Sequence, residues 1–458
     1  MSKPNTFTHG PLGLIYVKTA LPIIFVMSMN GLLTLVDAIF LGRYVGPAAL
    51  GAVTLIFPLY MLIVALATLV SNGMSSILAR HLGAGDHGAA RAIFAGAHGM
   101  ALCVSAMLIL GYLLIGGPLT LALASGSVEL AAMAQTYLAI TAFMSPLAFV
   151  LAVNSDALRN EGRVGFMAAM SLLVALSNIG FNYVLIAWLD MGVAGSAYGT
   201  ALAQLLALSI IMGYRLRGRA ELHPSAVLQS SLFHKWGRIL ALGAPQSLNF
   251  IGIALGTTAV IVALQMLDVP GYETTISAYG MVTRVLTFGF LPLLGMTHAV
   301  QSIVGNNYGA QSWARSDQSL RIGIAIAFGY CVVVQALLTA FPVVIARWFV
   351  EDPAVIDAFA RILPLTVLML WLAGPMIIIA TYFQAIGNAS RAAILGLTKP
   401  YAFALPLTFI LPVFWGETGV WLAGPVAEVL MAVLTGIVLL QSARALNLRR
   451  GLFTAPAT

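Results

Sequence analysis

The sequence predicts an all-α integral membrane protein with twelve spans in two six-helix bundles. Three observations lead there. Of 458 residues, 60% are hydrophobic and only 8% are charged, whereas a soluble domain carries about 25% charged residues. The apolar residues come in runs long enough to cross a bilayer at roughly 20 residues each. The second half of the chain also echoes the first.

Apolar runs separated by Gly, Pro and charge clusters place the spans at about 14–41, 49–79, 91–115, 131–156, 164–189, 195–215, 238–267, 277–304, 318–346, 358–386, 393–415 and 418–441. The first run is too long for a signal peptide and has no small-residue cleavage site. Prolines 22, 58, 146, 245, 292, 364 and 375 fall within spans and are expected to kink them. Pro22, on span 1, is a candidate hinge.

Charge sets the expected orientation. Alternate loops carry Arg80 and Arg91, Arg159 and Arg163, Arg215 to Arg238 (with Arg217, Arg219 and Lys235), Arg315 and Arg321, and Arg391 and Lys399. With the tails, that side holds 18 of the 22 Lys and Arg residues. The positive-inside rule then puts both termini in the cytoplasm. The formal charge of +7 is spread over short loops, which excludes a nucleic-acid-binding patch. Cys103 and Cys331 lie in apolar runs and read as small hydrophobes, with no disulfide or metal site.

The basic linker 216–237 separates a bundle at 1–215 from one at 238–458. Ser76-Ile77-Leu78 with Gly83-Ala84 matches Ser302-Ile303-Val304 with Gly309-Ala310, Pro22 matches Pro245, and Gly162 matches Gly387. Six spans per half make these parallel repeats, which predicts a substrate cavity between the halves.

Intramembrane polar residues carry the functional signal. A carboxylate at mid-helix costs roughly 2.5–3.5 kcal/mol, so Asp37 in span 1 reads as a group that handles a proton or ion in a transporter. Its repeat counterpart is Val260, so the fold itself does not demand a charge there. Counting depth at 1.5 Å per residue brings Tyr137 of span 4, Asn178 and Asn182 of span 5 and Thr200 of span 6 to a similar level. Asn30, Thr34 and Asp37 share a face of span 1. Asn and Thr also serve as glue between helices. Asn30, Thr34 and Asn154, with the interior charges Arg284 and Glu428, are candidate cavity residues; the two charges either pair with each other or meet substrate. Asp156, one turn before Arg159 at the cytoplasmic end of span 4, is expected to belong to that interface, and His98 to be a satisfied core histidine. No convergent catalytic set or cofactor motif is visible, so an enzyme is not expected.

Several stretches together resemble the multidrug and toxic compound extrusion (MATE) family: Val36-Asp37-Ala38-Ile39-Phe40-Leu41-Gly42; Ala79-Arg80-His81-Leu82-Gly83-Ala84-Gly85-Asp86; Ala157-Leu158-Arg159-Asn160-Glu161-Gly162; Val304-Gly305-Asn306-Asn307-Tyr308-Gly309-Ala310; and Phe383-Gln384-Ala385-Ile386-Gly387. The resemblance spans roughly residues 12–440. It implies a V of two bundles, a bacterial inner-membrane location, and export of cationic or amphipathic compounds by a monomer in exchange for H⁺ or Na⁺. The chain is similar to the DinF-like branch, in which a span 1 aspartate handles the ion. That assigns coupling to Asp37 with Asn178, Thr200 and Tyr137 as neighbours. The branch often has a second aspartate where this chain has Asn182, so one carboxylate is left for one H⁺ per cycle, with Na⁺ as the alternative. Spans 7 and 10 lack the interior carboxylates of the NorM-like branch. A lipid-linked precursor flippase, the rival reading, calls for a strongly cationic cavity, and Arg284 is the obvious interior cation.

Overall fold

The computed structural model describes residues 5–124, 127–218, 220–446 and 449–453. The side chains of Leu32, Thr34, Leu35, Ala38, Pro47 and Leu446 are not among those described, and Arg219 lies outside the described residues.

Ten described helices are long and apolar enough to cross a membrane, and two bent pairs bring the total to twelve spans. They are α1 (Leu12–Phe40), α2 (Phe57–Gly83), α3 (His87–Leu123), α4 (Val128–Phe143 with Ser145–Asn160), α5 (Val164–Asn182), α6 (Gly192–Leu216), α7 (Trp236–Met266), α8 (Tyr272–Gly309), α9 (Trp313–Ala340), α10 (Pro353–Thr366 with Leu370–Ala385), α11 (Ala389–Leu397, continued by shorter turns to Trp415) and α12 (Glu417–Leu446). Lipid-facing sides carry large exposed apolar residues such as Leu113, Leu114, Val333 and Leu440, as a bilayer requires.

The breaks follow local chemistry. α4 bends by 48° at Met144, where Pro146 withholds a backbone donor. α10 bends by 49° between Thr366 and Leu370, flanked by Pro364 and Pro375. The second predicted span is shorter than expected: Pro47–Leu55 forms a separate helix that stops at Ile56, ahead of Pro58. The helices containing Pro22, Pro245 and Pro292 each run as one hydrogen-bonded helix.

Three spans also contain or end in π turns. These occupy Leu41–Val45 after α1, Tyr183–Trp188 after α5 and Thr398–Ala404 within the eleventh span. A π turn inserts one extra residue per turn and re-aims the side chains beside it, and such turns concentrate at functional sites.

The chain forms two compact units, Met1–Ser247 and Leu248–Thr458. The division lies inside α7, whereas the basic linker set the expected boundary at 216–237. The first turns of α7 lie hard against α2. A Cβ at Gly243 would meet the Leu69 carbonyl at 1.9 Å, and one at Gly73 would meet the Ile239 carbonyl at 2.1 Å. In the second unit, α8, α10 and α12 enclose an apolar core around Phe359, Ile362, Leu363 and Trp421. Val260, the counterpart of Asp37, packs against it.

Candidate functional site

In the first unit α1 lies against α5, and α5 against α6. This packing brings together the residues that depth counting puts at one level. Asn182 Nδ2 donates to Asp37 Oδ1 at 2.7 Å. The Asn178 amide, oriented so that both its ends are satisfied, donates to the same oxygen at 2.9 Å and accepts from Thr200 Oγ1 at 2.9 Å. Both asparagines are fully buried and Asp37 is half-buried. Three helices thus meet at one carboxylate through a chain of side-chain hydrogen bonds.

Local backbone explains the convergence. Asp37 sits one turn before the π turn that follows α1, and Asn182 is the last residue before the π turn that follows α5. Leu41 and Ile186, from those two turns, are buried in one cluster with Ala49 and Val193. The cluster pins the ends of α1 and α5 together beside the Asp37–Asn182 bond.

Tyr137 packs against that cluster. It lies beside Ser196 and within electrostatic reach of Asp37, as does Tyr60. Tyr60, Ser196 and Gly199 are members that sequence reasoning missed. Ser196 precedes Thr200 by one helical turn, and that spacing could have exposed it; Tyr60 gave no comparable signal. Gly199 matters for space: a Cβ there would lie 2.1 Å from Asn182 Oδ1.

Magnitudes indicate what the site can do. A carboxylate costs roughly 2.5–3.5 kcal/mol at the centre of a span and less toward its end, where Asp37 lies. Each hydrogen bond to a charged group returns about 1.5–3 kcal/mol. The two sums are close, so neither the ionised nor the neutral acid is strongly excluded.

The remaining candidate residues lie elsewhere. Asn30 is exposed on α1, and the side chain of Thr34 is not described. Asn154, expected to line a cavity, is fully buried at the basic end of α4. Its amide donates to His98 Nε2 at 3.0 Å and to the Val150 carbonyl at 2.9 Å, because its face of α4 turns toward α3. His98 is satisfied as expected, with Nδ1 2.8 Å from the Phe94 carbonyl. Asp156 pairs with Arg159 at 2.9 Å.

In the second unit Arg284 is exposed, and Glu428 is paired with Lys399 instead. Lys399, expected in a loop, sits in the third π turn, well inside the eleventh span, and its ammonium donates to Glu428 Oε1. Among the described residues no three His, Cys, Asp or Glu side chains form a metal-binding group.

Comparison with known proteins agrees with this architecture. The chain is 23% identical over 443 residues to a protein named FAD transporter from Shewanella oneidensis, covering 94% of this chain and 95% of that one. It is 24% identical over 440 residues to the probable multidrug resistance protein YoeA of Bacillus subtilis, covering 93% and 92%. The solved structure of the MATE multidrug transporter DinF-BH superposes with a TM-score of 0.85 at 26% identity, over 98% of this chain and 99% of that one. The MatE family model matches residues 22–184 and 245–410, so it falls on both halves of the repeat and takes in Asp37, Asn178 and Asn182. This chain, a multi-pass membrane protein of twelve spans, belongs to the MatE family of multidrug efflux transporters.

Proposed function

We propose that the protein exports cationic or amphipathic compounds across a bacterial cytoplasmic membrane, as a monomer with both termini in the cytoplasm, in exchange for H⁺ taken up at Asp37. The observation that carries this reading is the carboxylate held by Asn178 and Asn182 where α1 meets α5. The Asn182 amide turns its nitrogen toward Asp37, and the Asn178 amide does so in the assigned orientation that satisfies both its ends. That arrangement suits an anion accepting hydrogen bonds. A bound Na⁺ needs oxygens facing it.

In the proposed cycle a periplasmic proton binds the Asp37 carboxylate. The neutral acid no longer attracts two amide donors and itself needs an acceptor. Rotation of the Asn178 amide supplies one. The charge-assisted bonds between α1 and α5 weaken, and the helix ends joined at Leu41 and Ile186 repack. Substrate favours the ionised state, so drug binding expels the proton to the cytoplasm. The names of the relatives bear on substrate class: a multidrug resistance protein and a multidrug transporter support a cargo of varied organic compounds.

Purified protein in proteoliposomes tests the reading directly. Efflux of a cationic dye should follow an imposed pH gradient at constant sodium. Efflux that follows only a sodium gradient would transfer the role of Asp37 to Na⁺, with the amides rotated to present oxygen. Adding FAD to the panel tests the cargo named for one relative.

A further inference from the structure

The second unit holds a feature that plays no part in coupling. A cavity of about 370 Å³ is lined by Arg321, Arg449, Arg450 and Phe453. No carboxylate lines it among the described residues. All three arginines are exposed, and three guanidinium groups beside one cavity present the forked donors that suit a phosphate or carboxylate.

The chain goes to some length to place these groups. After α12 it turns back in a tight loop. Arg449 N–H donates to the Phe453 carbonyl at 2.8 Å, and Phe453 N–H donates to the Arg449 carbonyl at 2.9 Å. Arg450 and Gly451 both take positive φ, 54° and 74°. Gly451 lies so close to α12 that a Cβ would fall 2.0 Å from the Leu439 carbonyl. Leu452 is buried, and its carbonyl accepts from the Tyr382 hydroxyl of α10. Phe453 lies under the Arg321 guanidinium, 4.6 Å from ring centroid to carbon. The loop is thus fastened to α9, α10 and α12, and the fastening holds Arg449 and Arg450 next to Arg321.

Height in the membrane points to the ligand class. Arg321 lies about 12 Å along α9 from Trp313 at 1.5 Å per residue, on the basic side where α12 also ends. The apolar run of this span is expected to begin near 318, so a long arginine side chain at 321 can reach the headgroup level, and Phe453 offers an apolar wall beside the charges. We propose that this cavity binds a phosphate group, and that an anionic phospholipid headgroup is its natural source. A bidentate guanidinium–phosphate contact at Arg321 would orient the headgroup, with Arg449 and Arg450 closing over it.

Native mass spectrometry of the full-length protein, released from nanodiscs of mixed phosphatidylglycerol and phosphatidylcholine, tests the site. The wild type should retain phosphatidylglycerol in preference to phosphatidylcholine. Arg321→Gln and the double variant Arg449→Gln/Arg450→Gln should each lose that preference by about fivefold per arginine removed. Arg444→Gln removes the same charge from α12 outside the cavity and should leave the preference intact. Arg321→Lys keeps the charge and serves if the glutamine variant unfolds; it should retain part of the preference. A second arm heats the detergent-solubilised protein with inorganic phosphate. Stabilisation that depends on the same arginines, without a lipid preference, would support phosphate binding from a soluble source. No lipid preference together with no phosphate response would overturn the proposal. So would an Arg444→Gln loss equal to that of the cavity variants.

Discussion

At Asp37 two opposing energies are close in size, and the side chains around it decide between them. Asn182 matters most, because it makes the shorter bond and because Gly199 leaves space for its amide. Gly199→Ala should push that amide away and lose a bond worth about 1.5–3 kcal/mol. Proton-driven efflux by equal amounts of folded protein should then fall by about tenfold or more; an unchanged rate would show that the Asn182 bond is incidental. The Lys399–Glu428 pair follows a different logic. Glu428 is buried with its Oε2 lacking a hydrogen-bond partner among the described residues, while Lys399 is about a third exposed. Removing the lysine strands a buried carboxylate, whereas removing the acid leaves a lysine that can reach outward. Thermal unfolding in detergent should therefore show a larger loss for Lys399→Met than for Glu428→Gln. The reverse order would mean that Lys399 is the more confined partner. Residue type and depth make Asp37, Asn178, Asn182 and Thr200 legible in the sequence. Rotational phase is not legible: Asn154 has suitable chemistry but faces His98, and Lys399 reads as a loop residue because a long charged side chain near a span end looks like one.

At the scale of elements, hydropathy locates each span because burial in lipid is a property of long runs. Bends and π turns depend on single backbone donors, and prolines are the only such signals in the chain's sequence. At Pro146 and Pro58 helices break, whereas Pro22, Pro245 and Pro292 lie inside continuous helices. The linker shows how one residue can fasten an irregular segment. Arg215 is fully buried at the end of α6. It donates to Glu161 Oε1 at 2.8 Å and to the Leu222 carbonyl at 2.8 Å, and it covers the Phe94 ring. Arg215→Ala should cost about 3–5 kcal/mol by leaving Glu161 buried and unpaired, read as a large drop in melting temperature. Replacing both partners with methionine should recover much of that loss. If the double variant is no better than the single one, packing of the arginine rather than pairing holds the linker.

For the whole molecule, the repeat shows what the fold requires and what function has added. Asp37 has Val260 as its counterpart, packed on an apolar core, so one unit has a carboxylate where the other keeps a hydrophobe. The second unit has an ion pair of its own, Lys399–Glu428, on another pair of helices. Twelve spans put both termini on one side of the membrane, and with Lys399 set inside its span 17 of the 22 basic residues (18 less Lys399) remain assigned to that side by sequence. A fluorescent protein that matures only in the cytoplasm, fused after Thr458, should fluoresce in cells. A dark fusion that becomes active with a periplasmic reporter would invert the orientation and with it the direction of proton entry at Asp37.

Under the proposed cycle, protonation of Asp37 drives transport. The most direct measurement is cationic-dye efflux from proteoliposomes under an imposed pH gradient, comparing wild type with Asp37→Asn after dye binding to each has been measured. Asparagine keeps the size and polarity of the group but cannot exchange a proton. The variant should still bind dye and show no response to the gradient. Gradient-driven efflux at the wild-type rate in Asp37→Asn would contradict that cycle.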